Sequence, residues 1–233
     1  MKTLIVVPTY NERDNITPFM DQFLTHVSGA DLLVVDDSSP DKTYEVVKER
    51  ALVEPRVHLL LRTQKQGLGK AYAAGFQWGF DQGYEVIVQM DADFSHRFED
   101  LNKLLHQIPA HDLCVGSRWV SGGGTVNWGL LRKIISRGGS FYSRLILGFP
   151  LRDWTGGFNA WKAKTLQAID LPSLVAEGYG FQIEMKYRAL KSGFDVKEVP
   201  ILFEERRVGQ SKMSSGIVLE ALKSVWKFRL WKA

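Results

Sequence analysis

Asp91-Ala92-Asp93 follows directly on the apolar run Val86-Ile87-Val88-Gln89-Met90. Such a run is expected to form a strand buried on both faces, and open α/β sheets gather ligands beyond the carboxyl ends of their strands. Two carboxylates one residue apart can hold a hard divalent cation, leaving other positions for water or phosphate oxygens. An isolated Asp-x-Asp is more often an ordinary acidic turn, so its meaning depends on what else reaches the same edge. Two more loops do. Residues 4–7 lead into Pro8-Thr9-Tyr10-Asn11-Glu12, and residues 32–35 lead into Asp36-Asp37-Ser38-Ser39-Pro40-Asp41. Three polar loops at one sheet edge suit a nucleotide: a Tyr10 ring for stacking, an Asp37 acceptor for a base N–H, and a metal to clamp a diphosphate.

The elements that position these loops follow from periodicity. Strands are expected over 4–7, 32–35, 57–61, 86–90 and 113–115. Ile16, Phe19, Met20, Phe23, Leu24 and Val27 recur at helical spacing, as do Phe98, Leu101, Leu104, Leu105 and Ile108. Further helices are expected from Asp41, acting as a cap, and over 69–82. This βαβα rhythm predicts an α/β fold with a mostly parallel sheet flanked by helices. After Ser117 the rhythm breaks. Gly122-Gly123-Gly124, Gly138-Gly139 and Gly156-Gly157 punctuate long loops, followed by a helix near 181–191, a strand near 196–203 and a final helix from about Gly216. The expected organisation is one domain: a nucleotide-sugar half (1–117), an acceptor half (118–212) and a basic amphipathic C-terminal helix (213–233).

The 233 residues are enough for one substantial core, and 45% hydrophobic with 24% charged residues is ordinary for a soluble domain. No stretch approaches the ~18 uninterrupted apolar residues of a membrane span, and the N-terminus reads as a strand rather than a signal peptide, so a cytoplasmic location is expected. The single Cys114 reads as a buried small hydrophobe. Residues 201–233 hold seven cations against three carboxylates, an excess equal to the net +4 of the whole chain. A basic tail with interleaved Trp226 and Phe228 suits a membrane surface; it could equally pack on the domain. His26, His58, His106 and His111 lack metal-ligand spacing, whereas His96 is near enough to the acidic loop to approach a metal or an acceptor, or to be a bystander. Gly67-Leu68-Gly69 reads as a tight turn, because the dinucleotide glycine pattern is incomplete.

Together, Pro8–Glu12, Asp36–Asp41 and Asp91–Asp93 resemble the inverting family 2 glycosyltransferases of the GT-A fold. Four more segments narrow the resemblance to dolichol-phosphate (polyprenol-phosphate) mannosyltransferases: Gly116-Ser117-Arg118, Asn127-Trp128 with Arg132 to Gly138, Phe181-Gln182-Ile183-Glu184-Met185, and Phe203-x-x-Arg206-x-x-Gly209-x-Ser211-Lys212. The resemblance spans about residues 3–212. It implies that the guanine and ribose of GDP-mannose lie on Pro8, Tyr10, Glu12, Val35 and Asp37. It places the diphosphate at Asp91, Ala92 and Asp93, with Mg²⁺ or Mn²⁺ held by Asp91 and Asp93. Arg118, Arg132 and Ser136 would take the acceptor phosphate, and Arg206 and Lys212 the donor phosphates; Asp93, Arg118, Arg132, Arg206 and Lys212 are thereby the expected catalytic residues. Ser95 stands where some members place a metal-coordinating Gln, and Gly156 where many carry Ser; in that segment only Asp153 is a candidate for contact.

The implied chemistry is coherent by itself. Cleaving a glycosyl phosphate builds charge on the leaving diphosphate, which a divalent cation stabilises. A phosphate monoester is already ionised near neutral pH, with a second pKa of about 6, so it needs orienting cations more than a general base. In-line attack would invert the sugar carbon and give a β-linked lipid phosphate. The expected partners are GDP-mannose, a polyprenyl or dolichyl phosphate, and a membrane surface reached peripherally on its cytoplasmic face, or through a membrane-embedded partner subunit. The residues alone leave open a UDP-sugar donor such as UDP-glucose, and a non-catalytic nucleotide-sugar or lipid-phosphate binding subunit. A nucleic-acid partner is not expected, since it leaves the three polar loops unexplained.

Overall fold

The computed structural model describes residues 1–174, 180–205 and 224–230. The first half runs β1 (Thr3–Thr9), α1 (Arg13–His26), β2 (Ala30–Asp36), α2 (Thr43–Val53), β3 (Val57–Leu61), α3 (Leu68–Asp81), β4 (Val86–Gln89), α4 (Phe98–Gln107) and β5 (Leu113–Ser117). The second half adds β6 (Gly124–Thr125), α5 (Leu130–Leu147), β7 (Asn159–Lys162), α6 (Ala163–Ala168), α7 (Gly180–Lys191), β8 (Val196–Pro200) and β9 (Leu202–Phe203). Residues 224–229 are helical.

One seven-stranded sheet has the order β3-β2-β1-β4-β7-β5-β8, and β6 pairs with β9 in a small second sheet. β1 pairs in parallel with both β2 and β4, so the chain winds outward from β1 in one direction and resumes on its other side. Such a reversal, here at the carboxyl ends of β1 and β4, is where open α/β sheets bind their ligands. β7 is antiparallel to both β4 and β5. The residues on either side of Ser117 therefore share one sheet.

Alternate residues of β1 serve opposite layers. Ile5 and Val7 pack with Ile16, Phe19, Met20 and Phe23 of α1 and Leu101 and Leu104 of α4. Leu4 and Val6 pack with Tyr72 and Phe76 of α3, Trp161 of β7, and Ile183 and Met185 of α7. Two glycines let α3 lie unusually close to the sheet. A Cβ on Gly75 would stand 2.5 Å from Val6 Cγ1, and one on Gly79 would stand 2.8 Å from Ile87 Cδ1.

Three local expectations are corrected. Gly138-Gly139 does not break the chain but lies inside the 18-residue α5; the Cβ positions of both are open enough that glycine there is not a marker of close packing. The strand expected over 196–203 divides at Ile201, whose N–H bonds the Ser117 carbonyl at 3.1 Å, and its second part leaves the main sheet. Asp41 caps α2 from one residue further out than expected: Lys42 takes the left-handed conformation, while Asp41 Oδ1 accepts from the Thr43 N–H at 3.0 Å and its hydroxyl at 2.6 Å. The final helix expected from Gly216 lies largely outside the described residues.

Candidate functional site

The loops after β1 and β2 are stitched together by a buried carboxylate. Asp36 accepts from the hydroxyls of Thr9 and Ser39, each at 2.7 Å, and from the Ser39 N–H at 2.8 Å. Ser39 Oγ in turn accepts the Asn11 N–H, and Thr43 Oγ1 accepts the Glu12 N–H. Asn11, Ser38, Phe94 and Asn127, one in each of four loops at this edge, adopt positive φ between 52° and 62°. Strained backbone of that kind concentrates where loops are held for function.

Tyr10, Glu12 and Asp37 stand together in this loop pair, with Pro8 half-buried at the end of β1. Asp37 is held by Arg62, whose Nη1 lies 2.8 Å from Oδ1, with both side chains largely buried. Burial raises the Asp37 carboxyl above its ordinary range, more than the Arg62 guanidinium lowers it. Arg62 also donates to Gln66 Oε1, and the Lys65 ammonium sits 3.8 Å from the Tyr10 ring centroid. The segment after β3 thus belongs to the same pocket, a contribution the sequence reading missed. It was available in principle, because Arg62 directly follows a parallel strand. Val35 differs from expectation: its side chain is fully buried in the core facing α3, not in the loop cluster.

Beyond β4, Asp91 is half-buried and Asp93 is 5% exposed. The Tyr72 hydroxyl lies 3.3 Å from both Met90 O and Asp91 Oδ1, and burial with the neighbouring Asp91 charge holds that phenol well above its usual pKa. Asp93 Oδ1 accepts the Ser95 N–H at 3.0 Å, while Ser95 Oγ is buried with no hydrogen-bond partner among the described residues. No group of three or more His, Cys, Asp and Glu among the described residues forms a ready metal cage. Two carboxylates with an unpartnered hydroxyl nearby are hard oxygen donors, and they fit a cation that completes its shell from water and phosphate.

A second cluster, on the side from which acceptor binding is expected, is built on Asp153, which is fully buried. Arg118 Nε and Nη2 grip its two oxygens at 2.8 and 2.7 Å, and the Arg118 N–H adds a third bond at 2.9 Å. Burial alone would raise this carboxyl, but the charge and hydrogen bonds of Arg118 together with the Lys186 charge outweigh it and hold it below the usual range. Lys186 lies beneath, donating to the carbonyls of Asp153, Trp154 and Gly156 at 3.1, 3.2 and 2.6 Å. Its burial brings the ammonium down to about 8, against the pull of Asp153. Glu198 holds the same turn from β8 by accepting the N–H of Arg152 and Asp153 and the Ser117 hydroxyl.

Arg118, Arg132 and Ser136 do come together. Arg118 Nη2 donates to Thr155 Oγ1 at 2.9 Å, and Ser136 and Ser140 hydroxyls each lie 3.4 Å from that oxygen. Arg132 Cζ lies 4.0 Å from the Trp128 ring centroid, and Arg118 Cζ lies 5.5 Å from it. Arg132 also faces Glu205 at 3.4 Å. Arg118 is thus more committed internally than a free phosphate clamp would be, since Asp153 balances its charge. Asp153, a minor candidate from sequence, is the organising residue here. Arg206 and Lys212 lie outside the described residues.

Residues 4–169 match the family model described as glycosyl transferase family 2. An undecaprenyl-phosphate mannosyltransferase of Micrococcus luteus is 48% identical over 99% of this chain and 95% of its own. A polyprenol monophosphomannose synthase of Mycolicibacterium smegmatis is 45% identical over 98% of this chain and 88% of its own. Among solved structures, glucosyl-3-phosphoglycerate synthase from Mycobacterium tuberculosis, in complex with Mn²⁺, UDP-glucose and phosphoglyceric acid, superposes with a TM-score of 0.69. It shares 17% identity and covers 98% of this chain and 79% of its own, a likeness of fold.

Proposed function

The chain belongs to glycosyltransferase family 2, and from that premise we propose that it transfers mannose from GDP-mannose to a polyprenyl phosphate, with inversion. The observation that carries this reading is the near full-length identity of 48% and 45% to two transferases that act on polyprenyl phosphates. The site geometry supports it.

Tyr10, Asp37 and the Arg62 segment receive the nucleoside, and the loop after β1 leads directly to the acidic loop after β4. Asp91 and Asp93 would hold Mg²⁺ or Mn²⁺. A divalent cation bound there stabilises the negative charge of the departing diphosphate. On the expected acceptor side, Arg118 is fixed in a bidentate grip and Arg132 lies against Trp128, so the cations are presented with little freedom left to lose. Ser136 adds a hydroxyl beside Thr155. A phosphate acceptor that is already ionised requires no proton-abstracting base. In-line attack by the acceptor oxygen gives a β-linked lipid phosphate.

Peripheral membrane association is part of the proposal. No helix among the described residues is long and apolar enough to cross a membrane. Yet α5 has an inverted pattern: Ser136, Ser140 and Ser143 are buried, while Leu130, Leu131, Ile134, Phe141 and Leu145 are exposed. Exposed Lys227 and Trp226 lie on the helical segment 224–229, which is tied to α5 by the 2.9 Å bond from Trp226 Nε1 to the Tyr142 hydroxyl. An apolar face with Arg137 and Arg144 beside it fits an anionic lipid surface. The test is transfer of labelled mannose to a short-chain polyprenyl phosphate with NMR of the product anomer. A β-mannosyl phosphate is expected, and an α-linked product would overturn the inverting mechanism.

A further inference from the structure

His96 has no part in the reaction described above, yet it joins the acidic loop to the acceptor side. It is 3% exposed. Its Nδ1 accepts the main-chain N–H of Asp91 at 3.2 Å, so the proton of the neutral ring sits on Nε2. β4 ends at Gln89, and the chain turns sharply through Phe94 at φ 62°. The Asp91 N–H therefore has left the sheet ladder, and the imidazole takes the place of a strand partner. A phenyl ring would pack in the same space but would leave that donor unmet.

The ring also makes two aromatic contacts. It stacks on Phe158 with centroids 4.6 Å apart, and it meets Phe203 edge-on at 5.1 Å. Phe203 then meets Trp128 at 5.1 Å, and Trp128 carries the Arg132 guanidinium. A main-chain bond from Glu204 N to Ser95 O, at 3.1 Å, closes the same seam. A short path of direct contacts thus runs from the carboxylate loop to the acceptor cations, with His96 at its centre.

We propose that His96 is a positioning residue with two separable roles: its Nδ1 sets the Asp91 main chain against the donor diphosphate, and its ring registers that loop against the Phe203–Trp128–Arg132 platform. This rests on the reading that Asp91 and Asp93 hold the metal and diphosphate.

The two roles are separated by substitution. His96→Phe keeps a ring and removes the acceptor; His96→Asn keeps an acceptor near the Nδ1 position and removes the ring. GDP binding is measured by calorimetry with Mn²⁺ and with EDTA, alongside KM for a short-chain polyprenyl phosphate and the thermal midpoint. His96→Phe is expected to weaken Mn²⁺-dependent GDP binding about tenfold, because the Asp91 main chain is no longer held in place before the diphosphate arrives, with the acceptor KM unchanged; the unmet buried N–H itself lowers the thermal midpoint. His96→Asn is expected to retain GDP binding and to raise the acceptor KM several-fold. Should the Asn variant fail to fold, Phe203→Leu reads the same coupling from the other side, with the same expected KM change. Wild-type GDP binding by His96→Phe, or equal losses of both properties in both variants, would overturn the proposal. GDP binding by the wild type that is the same with Mn²⁺ and EDTA would instead sink the metal reading, and the proposal with it.

Discussion

Asp153→Asn removes one charge and almost no volume from the most buried ion pair of the site. In the native protein the carboxylate faces Arg118 through three hydrogen bonds and also accepts the Gly156 N–H at 3.0 Å. Without its charge, the Arg118 guanidinium and the Lys186 ammonium are left as two buried cations in one pocket. Removing one partner of such a pair costs about 3–5 kcal/mol, and the amide carbonyl that remains keeps the expected value near the lower figure. For a chain of this length, a loss of about 3 kcal/mol lowers the thermal midpoint by roughly 6–12 °C. The control is Asp112→Asn, whose partners Lys162 and Lys164 are more solvent-accessible; there the cost is expected to stay within about 1 kcal/mol. Urea unfolding of both variants at neutral pH makes the comparison, with acceptor KM measured in parallel. The Asp153 variant should also show a raised KM, because Arg118 loses its fixed fork. A cost below about 1 kcal/mol, equal to the control, would refute the claim that this pair organises the acceptor side.

Other outcomes follow from the same geometry. Lys186 sits at about 8 when folded against 10.5 unfolded, so between those values the unfolded chain binds more protons. Its contribution to stability therefore rises with pH across that window, and this rise should vanish from the urea stability of Lys186→Met measured at pH values on either side of it. Arg62→Ala removes the cation that opposes the burial-raised pKa of Asp37. Its GDP affinity, followed by calorimetry against pH, should begin to fall at a higher pH than that of the wild type. Ile134→Ser with Phe141→Ser leaves the buried serine face of α5 untouched; co-sedimentation with anionic vesicles should drop several-fold while the thermal midpoint holds.

The first four strands were legible because each is a short apolar run followed by a polar loop, and the parallel order then brings Tyr10, Asp37 and Asp91 to one edge. β7 was not legible: Asn-Ala-Trp-Lys has no strand signature of its own, and it is held by pairing on both sides with β4 and β5. α5 was hidden by its inner serines and its outer leucines, the reverse of the pattern expected of a helix packed on a domain by its apolar face; the membrane contact proposed above would account for it. At the site, the types of the acidic and arginine residues announced phosphate chemistry, but the pairing of Arg118 with Asp153 joins residues 35 apart in sequence, and that of Asp37 with Arg62 joins residues 25 apart. No local spacing rule encodes such contacts. The Asp91-His96 contact was nearer at hand, yet it depends on the positive φ of Phe94, which a non-glycine residue does not advertise.

The central claim is a metal-dependent mannosyl transfer to a lipid phosphate, centred on Asp91 and Asp93. The most direct measurement is a radiolabelled donor panel with short-chain polyprenyl phosphate and Mg²⁺ or Mn²⁺, run on the wild type and on Asp93→Ala checked for retained fold. Transfer from GDP-mannose that needs the cation and is lost in the folded variant is the predicted result. Transfer from UDP-glucose but not GDP-mannose, or undiminished turnover by Asp93→Ala, would contradict it.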